Sequence, residues 1–424
     1  MPASQHPDAL ASSLELPDPS LLGRLGRVML VAGSAAALVG SFLHEWWPLA
    51  ALLIAGLGAV LARLPLHRLP GFWWGCAFLA WGLVSHATAY VQHLPGARLR
   101  PDLVVVLWMS AGLLGLGLSG DTARRRATIA LVAIALATAP LVVAQLMFGC
   151  SPDYGGDEAL IDWNSRTRWF ARGFSQSHQT FGLATCLLLV IHLEPRAFLA
   201  SRTRAILAVA TSLFLLLICG ARSAVLAGIT ASLAIFASRS RRLLVIGTAL
   251  AIIFIATVCG KMALSGDKRI YKTLAAQDGR YAIWRTGAEL IRQRPIMGWG
   301  NGACFKASYH QAFVTANPPG TWDEFPEGVA TPHNGFLTLL AHYGIPGLLL
   351  HSLFWFSVMR WLYRRRADSP AAWRLGLAMT AIWLVGGQFQ AYAGRQMQSI
   401  ILHGGLGLAM AVAYARLRVA SRQS

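Results

Sequence analysis

The residues best suited to chemistry lie in Ala330-Thr331-Pro332-His333-Asn334-Gly335-Phe336-Leu337, where a long polar stretch, roughly Ser265 to Pro332, re-enters an apolar segment. The imidazole of His333 sits at that junction. At the lip of a bilayer such a group exchanges protons with water while facing a lipid-borne reactant. Three arginines stand at comparable boundaries: Arg222 in Gly220-Ala221-Arg222-Ser223, Arg280 in Asp278-Gly279-Arg280-Tyr281, and Arg172 in Arg172-Gly173-Phe174-Ser175-Gln176-Ser177-His178. A planar guanidinium grips two phosphate oxygens at once, and burying one at a membrane boundary is costly without an anionic partner. Taken singly, each arginine also fits a side chain that snorkels to lipid head groups, and His333 also fits a plain helix-start residue. Taken together, three cations and a titratable base on one side of a membrane suit a lipid diphosphate.

The elements that must position these groups are apolar helices. The chain has 424 residues, of which 55% are hydrophobic and 13% charged, with a mean hydropathy of +0.50. Soluble chains carry about 25% charged residues, so an integral membrane protein is expected. Apolar runs near the spanning length of roughly 20 residues recur at 25–43, 46–62, 72–91, 103–119, 127–148, 177–193, 205–219, 223–238, 243–264, 334–359, 373–390 and 399–415. The expectation is an all-α polytopic protein of about twelve transmembrane helices.

Basic residues orient the chain. Arg24/Arg27, Arg63/Arg68, Arg124/Arg125/Arg126, Arg196/Arg202/Arg204, Arg239/Arg241/Arg242, Arg364/Arg365/Arg366 and Arg416/Arg418/Arg422 fall on alternate turns, so that side, with both termini, is expected in the cytoplasm. The formal charge of +19 is thus a topology signal and not a nucleic-acid footprint. The expected organisation is a cytoplasmic tail over 1–23, nine helices over 24–264 with an outer loop at 149–177, a large outer loop over 265–333, three helices over 334–416 and a second tail over 417–424. No cleavable signal peptide is read before Arg24, where the sequence is polar and proline-rich. Within the large loop, Arg280 to Ile291 has apolar residues at helical spacing, the pattern of an amphipathic interfacial helix that Pro295 ends. Gly298-Trp299-Gly300-Asn301-Gly302 reads as a tight turn.

Other residues read more plainly. His342 and His351 fall deeper in the same apolar run as core or cavity residues. Asp153, Asp157, Glu158 and Asp162 read as a solvated loop, with calcium binding as the sharper alternative, and Asp323, Glu324 and Glu327 as another solvated loop. Cys76, Cys186, Cys219 and Cys259 read as packing residues, whereas Cys150 and Cys304 share the oxidising side and leave a disulfide open. No Cys/His spacing suggests zinc, and the first outer loop offers only Glu45 as an acid. No metal or other cofactor is therefore expected, and the charge of a diphosphate leaving group would fall to arginines.

The combination of Gly220-Ala221-Arg222-Ser223, Arg280-Tyr281-Ala282-Ile283-Trp284 with Pro295-Ile296-Met297-Gly298-Trp299-Gly300, and His333-Asn334-Gly335-Phe336 with Gly344-Ile345-Pro346-Gly347 resembles the O-antigen ligase/polymerase superfamily over roughly residues 165–360. Arg172-Gly173-Phe174 is similar to that family's earlier outer-loop arginine motif. The resemblance implies a GT-C-type glycosyltransferase fold in the bacterial inner membrane. It also implies a glycan donor on undecaprenyl diphosphate, used on the periplasmic face without a metal. His333 would then be catalytic, and Arg172, Arg222 and Arg280 would bind the diphosphate. The histidine directly before an asparagine and the short chain favour a ligase with a lipid A–core acceptor. O-antigen polymerase and protein O-oligosaccharyltransferase are the alternatives. A secondary transporter is the rival of another class, but it would carry an internal repeat and midplane binding groups, and neither is found in this sequence.

Overall fold

The computed structural model describes residues 20–40, 46–94, 108–148, 178–198, 201–219, 221–242, 245–249, 252, 279–300, 303–317, 332–388 and 396–421. Arg172, Cys150, Cys259, the cluster from Asp153 to Asp162 and the acids Asp323 to Glu327 lie outside them. Among the described residues every regular element is helical, as the composition led us to expect. The helices are α1 (Leu21–Gly40), α2 (Trp46–Leu61), α3 (Phe72–Val91), α4 (Met109–Gly117), α5 (Asp121–Phe148), α6 (His178–His192), α7 (Arg202–Ile218) and α8 (Arg222–Arg239). After the large polar stretch come α9 (Gly279–Gln293), α10 (Ala303–Ala316), α11 (Gly335–Arg364), α12 (Pro370–Ala381), which runs into a π-helical turn at Ile382–Gly386, and α13 (Gln396–Ser421).

The expectation of about twelve membrane-crossing helices in a GT-C-type architecture is corrected. Among the described residues four helices are long and apolar enough to cross a membrane: Leu21–Gly40, Asp121–Ala144, Gly335–Arg364 and Gln398–Val419. Shorter apolar helices cover Trp47–Leu61, Gln179–His192, Thr203–Ile218 and Ser223–Arg239. The discrepancy has a physical source, because a hydropathy window counts apolar turn residues together with the helix they adjoin. Of the run at 103–119, the described residues from Trp108 onward form only the nine-residue α4, about 13 Å long at 1.5 Å per residue. In the run at 373–390 the α-helix ends at Ala381 and passes into the π turn, so α12 itself has only twelve residues. Much of 243–264 lies outside the described residues.

Small residues let the apolar helices approach closely, since between lipid-immersed helices close backbone packing replaces the hydrophobic effect. A Cβ added to Gly33 of α1 would lie 2.6 Å from the Ala51 carbonyl oxygen of α2, and one on Gly407 of α13 would lie 2.5 Å from that of Ala111 on α4. Either substitution would force the helix pair apart.

One end of the bundle is stitched by arginines. Glu194, buried in the turn after α6, takes Arg374 of α12 as a two-pronged partner, with Nε–Oε1 2.5 Å and Nη2–Oε2 3.0 Å, and Arg239 of α8 at 2.9 Å. Arg124 of α5, also buried, donates to the Ala197 carbonyl at 2.9 Å and to Asp121 at 2.5 Å. These groups come from four arginine-bearing turns of the sequence. Because α8 ends at this cluster and α12 starts beside it, the start of α8 and the π turn after α12 lie at the opposite end. Arg222 opens α8 at that end.

Candidate functional site

His333 stands directly before α11 with a left-handed backbone (φ 47°) and a half-buried side chain. Non-glycine residues adopt that conformation only where their surroundings impose it, and such residues gather at active sites. What imposes it here is a firmly fastened helix start. Asn334 is extended and caps the helix, its side-chain oxygen accepting from the backbone N–H of Phe336 at 3.0 Å and of Leu337 at 3.1 Å. Its amide donates onward to Gln388 Oε1 at 3.3 Å, and the Gly335 N–H donates to the Gly387 carbonyl at 2.6 Å. Phe336 packs on Trp383 with ring centroids 5.4 Å apart. The His333 segment is therefore moored to the π turn, a helix irregularity often found at functional sites.

On the other side lies α9, the amphipathic stretch. Its buried face carries Ala282, Ile283, Thr286, Gly287 and Leu290. A Cβ on Gly287 would stand 3.2 Å from Pro332 Cβ, so α9 touches the residue next to His333. Arg280 lies seven residues before Gly287, two turns along the same face. Helix α10 backs α9: Tyr309 donates to the Ile283 carbonyl at 3.1 Å, and Asn317 Nδ2 to Thr286 Oγ1 at 3.0 Å. Burial raises the Tyr309 phenol above its ordinary pKa, so it stays a donor. On the outer face, hydrogen bonds from Arg292 and Gln293 hold the Glu289 carboxyl down at about 2, so that pair persists at any pH near neutrality.

The turn after α9 docks into a break in α11. Gly344 interrupts that helix with φ 66° and ψ −172°, and Pro346 supplies no N–H to the carbonyl four residues before it. The carbonyls left over find partners from outside, as buried backbone groups must. The Trp299 N–H donates to the Ala341 carbonyl at 2.9 Å and that of Gly300 to the His342 carbonyl at 2.9 Å, while Ile345 N–H returns to the Pro295 carbonyl at 2.8 Å. A Cβ on Gly344 would fall 1.8 Å from the Ile296 carbonyl oxygen, and one on Gly298, itself at φ 67°, 2.4 Å from that of His342. The Pro-x-x-Gly-x-Gly and Gly-x-Pro-Gly motifs are thus the two halves of one joint. It fixes α9, and with it the backbone of Arg280, against the helix that His333 precedes.

Arg222 opens α8 after Ala221, at the end of the bundle away from Glu194. That start is wedged against α6, where a Cβ on Gly182 would meet Ala224 Cβ at 2.7 Å and Ala221 Cβ at 3.0 Å. Helix α8 packs along α12 and the π turn, the same turn to which the His333 segment is moored. Of the four expected site residues, His333 precedes α11 and is moored to the π turn along which the helix opened by Arg222 packs, Arg280 lies near the start of α9, whose Gly287 meets Pro332, and Arg172 lies outside the described residues.

Several supporting residues escape sequence reading. Gln388 and Gly387 belong to a run that looks like an ordinary span, and Ser85 and Trp81 of α3 reach the joint across more than two hundred residues. For the α3 pair the only local signal is their four-residue spacing on one helix face. His342 and His351 are both buried, in line with a core reading. His351 Nε2 lies 3.1 Å from His403 Nε2, tying α11 to α13.

Fold and composition together define a multi-pass membrane protein, all-helical among the described residues. Residues 207–352, from α7 into α11, match the family described as O-antigen ligase, the same family that the motifs resemble. This match supports an O-antigen ligase or polymerase type of enzymatic activity, acting on lipid-linked glycans. No curated protein matches the chain.

Proposed function

We propose that the chain transfers a glycan from undecaprenyl diphosphate to lipid A–core on the periplasmic face of the inner membrane. The observation that carries this reading is the joint between α9 and α11, which holds the Arg280 helix beside the His333 segment inside the matched residues. An acceptor sugar hydroxyl attacks the anomeric carbon of the donor. The bond from that carbon to the phosphate oxygen breaks, its electron pair leaves with undecaprenyl diphosphate, and a single displacement inverts the anomeric centre. His333 takes the hydroxyl proton, help worth about 10²–10⁴ in rate. Arg172, Arg222 and Arg280 bind the diphosphate and stabilise the charge that grows on it, the task a divalent metal performs elsewhere. Both reactants are membrane-anchored, so much of the cost of bringing them together is met before chemistry begins.

The test is direct. The purified chain is incubated with undecaprenyl-diphosphate-linked glycan and lipid A–core, and glycosylated lipid A–core is followed by gel mobility and mass spectrometry. Its formation, undiminished by EDTA, is the expected result. Extension of the donor glycan with no transfer to lipid A–core would make the chain a polymerase instead.

A further inference from the structure

One face of α3 meets the joint between the Pro295–Gly300 turn and the break in α11, although α3 lies outside the residues matched to the family. Phe78, Trp81, Ser85, Ala89 and Gln92 recur on it at spacings of three and four, the signature of one helix face. Phe78 packs edge-on against Tyr343 with centroids 5.4 Å apart. Trp81 Nε1 donates to the Tyr343 carbonyl at 2.7 Å. Ser85, fully buried, lies with its hydroxyl 2.5 Å from the Met297 carbonyl and 3.1 Å from that of His342. At the end of the helix, Gln92 accepts from the Arg294 guanidinium.

We propose that Ser85 is a positioning residue for the transfer reaction: by holding Met297 and His342 together it keeps the turn seated in the break of α11, and so fixes the Arg280 helix relative to His333. The inference rests on the function proposed above. Ser85 bonds both halves of the joint, the turn through Met297 and the break through His342. Met297 and His342 offer carbonyl oxygens, so the single hydroxyl proton of Ser85 is shared between them in a three-centre bond that is shorter to Met297. A displacement of about 1 Å between positioned groups costs on the order of 10²-fold in rate, whereas ligand affinity changes less, because each guanidinium keeps the charge and the fork that grip the donor.

Two measurements on Ser85→Ala and Trp81→Phe test this, with Thr88→Ala as a control on the exposed side of the same helix. Hydrogen exchange follows the Trp299, Gly300 and Ile345 amides, which cross the joint, and steady-state transfer separates kcat from the apparent KM for the lipid-linked donor. In Ser85→Ala those amides should exchange about tenfold faster, and kcat should fall about ten- to a hundredfold with KM within about twofold. Trp81→Phe, which keeps a ring but loses the donor, should shift both quantities in the same direction and by less. Unchanged exchange, or normal kcat despite faster exchange, would overturn the proposal. So would a loss of activity that vanishes once corrected for the folded fraction. Absence of transfer by the wild-type chain would remove the proposed function itself, and this role with it.

Discussion

At the scale of single residues, the account turns on what a guanidinium and an amide do that their nearest substitutes cannot. Arg222 opens α8 at the end of the bundle away from the Glu194 cluster. If it grips a diphosphate with two parallel donors, Arg222→Lys keeps the charge and loses the fork. Both Arg222→Lys and Arg222→Ala should then insert normally and lose binding of a polyprenyl diphosphate, measured on purified protein. Wild-type transfer by the lysine variant would reduce Arg222 to a head-group anchor. Asn334 acts differently, because its side chain caps α11 and ties it to Gln388. Asn334→Ala should lower stability by about 1 kcal/mol, the usual cost of a lost N-cap, read as a lower Tm. Transfer should fall further than folding does, since the cap also holds the residue next to His333.

At the scale of elements, the break in α11 is the informative feature. Gly344→Ala would place a Cβ against the Ile296 carbonyl in a backbone conformation that side chains avoid. The turn should be expelled from its slot, with faster exchange at Trp299 and Gly300 and loss of transfer, while Gly120→Ala, where the added methyl meets open space, should be silent in both readouts. Equal behaviour of the two variants would show that the joint carries no weight. The parts of this joint were legible in the sequence as separate motifs: the Gly-Trp-Gly turn, the Gly344-Ile345-Pro346-Gly347 stretch, and the amphipathic spacing from Arg280 to Ile291. Their union was not, because it consists of backbone hydrogen bonds between segments some forty residues apart, and backbone groups leave no mark in side-chain patterns. The left-handed φ of His333 is invisible for the same reason. Membrane spans were over-read, since apolar runs such as 46–62 and 205–219 look alike whether they form a crossing helix or, as in α2 and α7, helices of 16 and 17 residues.

At the scale of the whole molecule, four arginine-bearing turns that the sequence assigns to one side of the membrane meet around Glu194 and Arg124. The start of the helix that Arg222 opens and the His333 segment, moored to the π turn, lie at the other end. If that arginine-rich end is cytoplasmic, a cysteine at position 365 should be shielded from an impermeant thiol reagent in intact spheroplasts, in a background without native cysteines. Cysteines at positions 157 and 323 should label. The reverse pattern would turn the protein over and move the site away from a periplasmic donor.

The central claim is a division of labour, in which arginines hold the diphosphate and His333 activates the acceptor. It is tested most directly by comparing His333→Ala with the wild-type chain, both purified, for donor binding and for transfer to lipid A–core. Donor affinity should be retained while transfer falls by about 10²–10⁴, the loss expected when general-base help is removed. Transfer at the wild-type rate, or a donor affinity that collapses in step with transfer, would contradict the account.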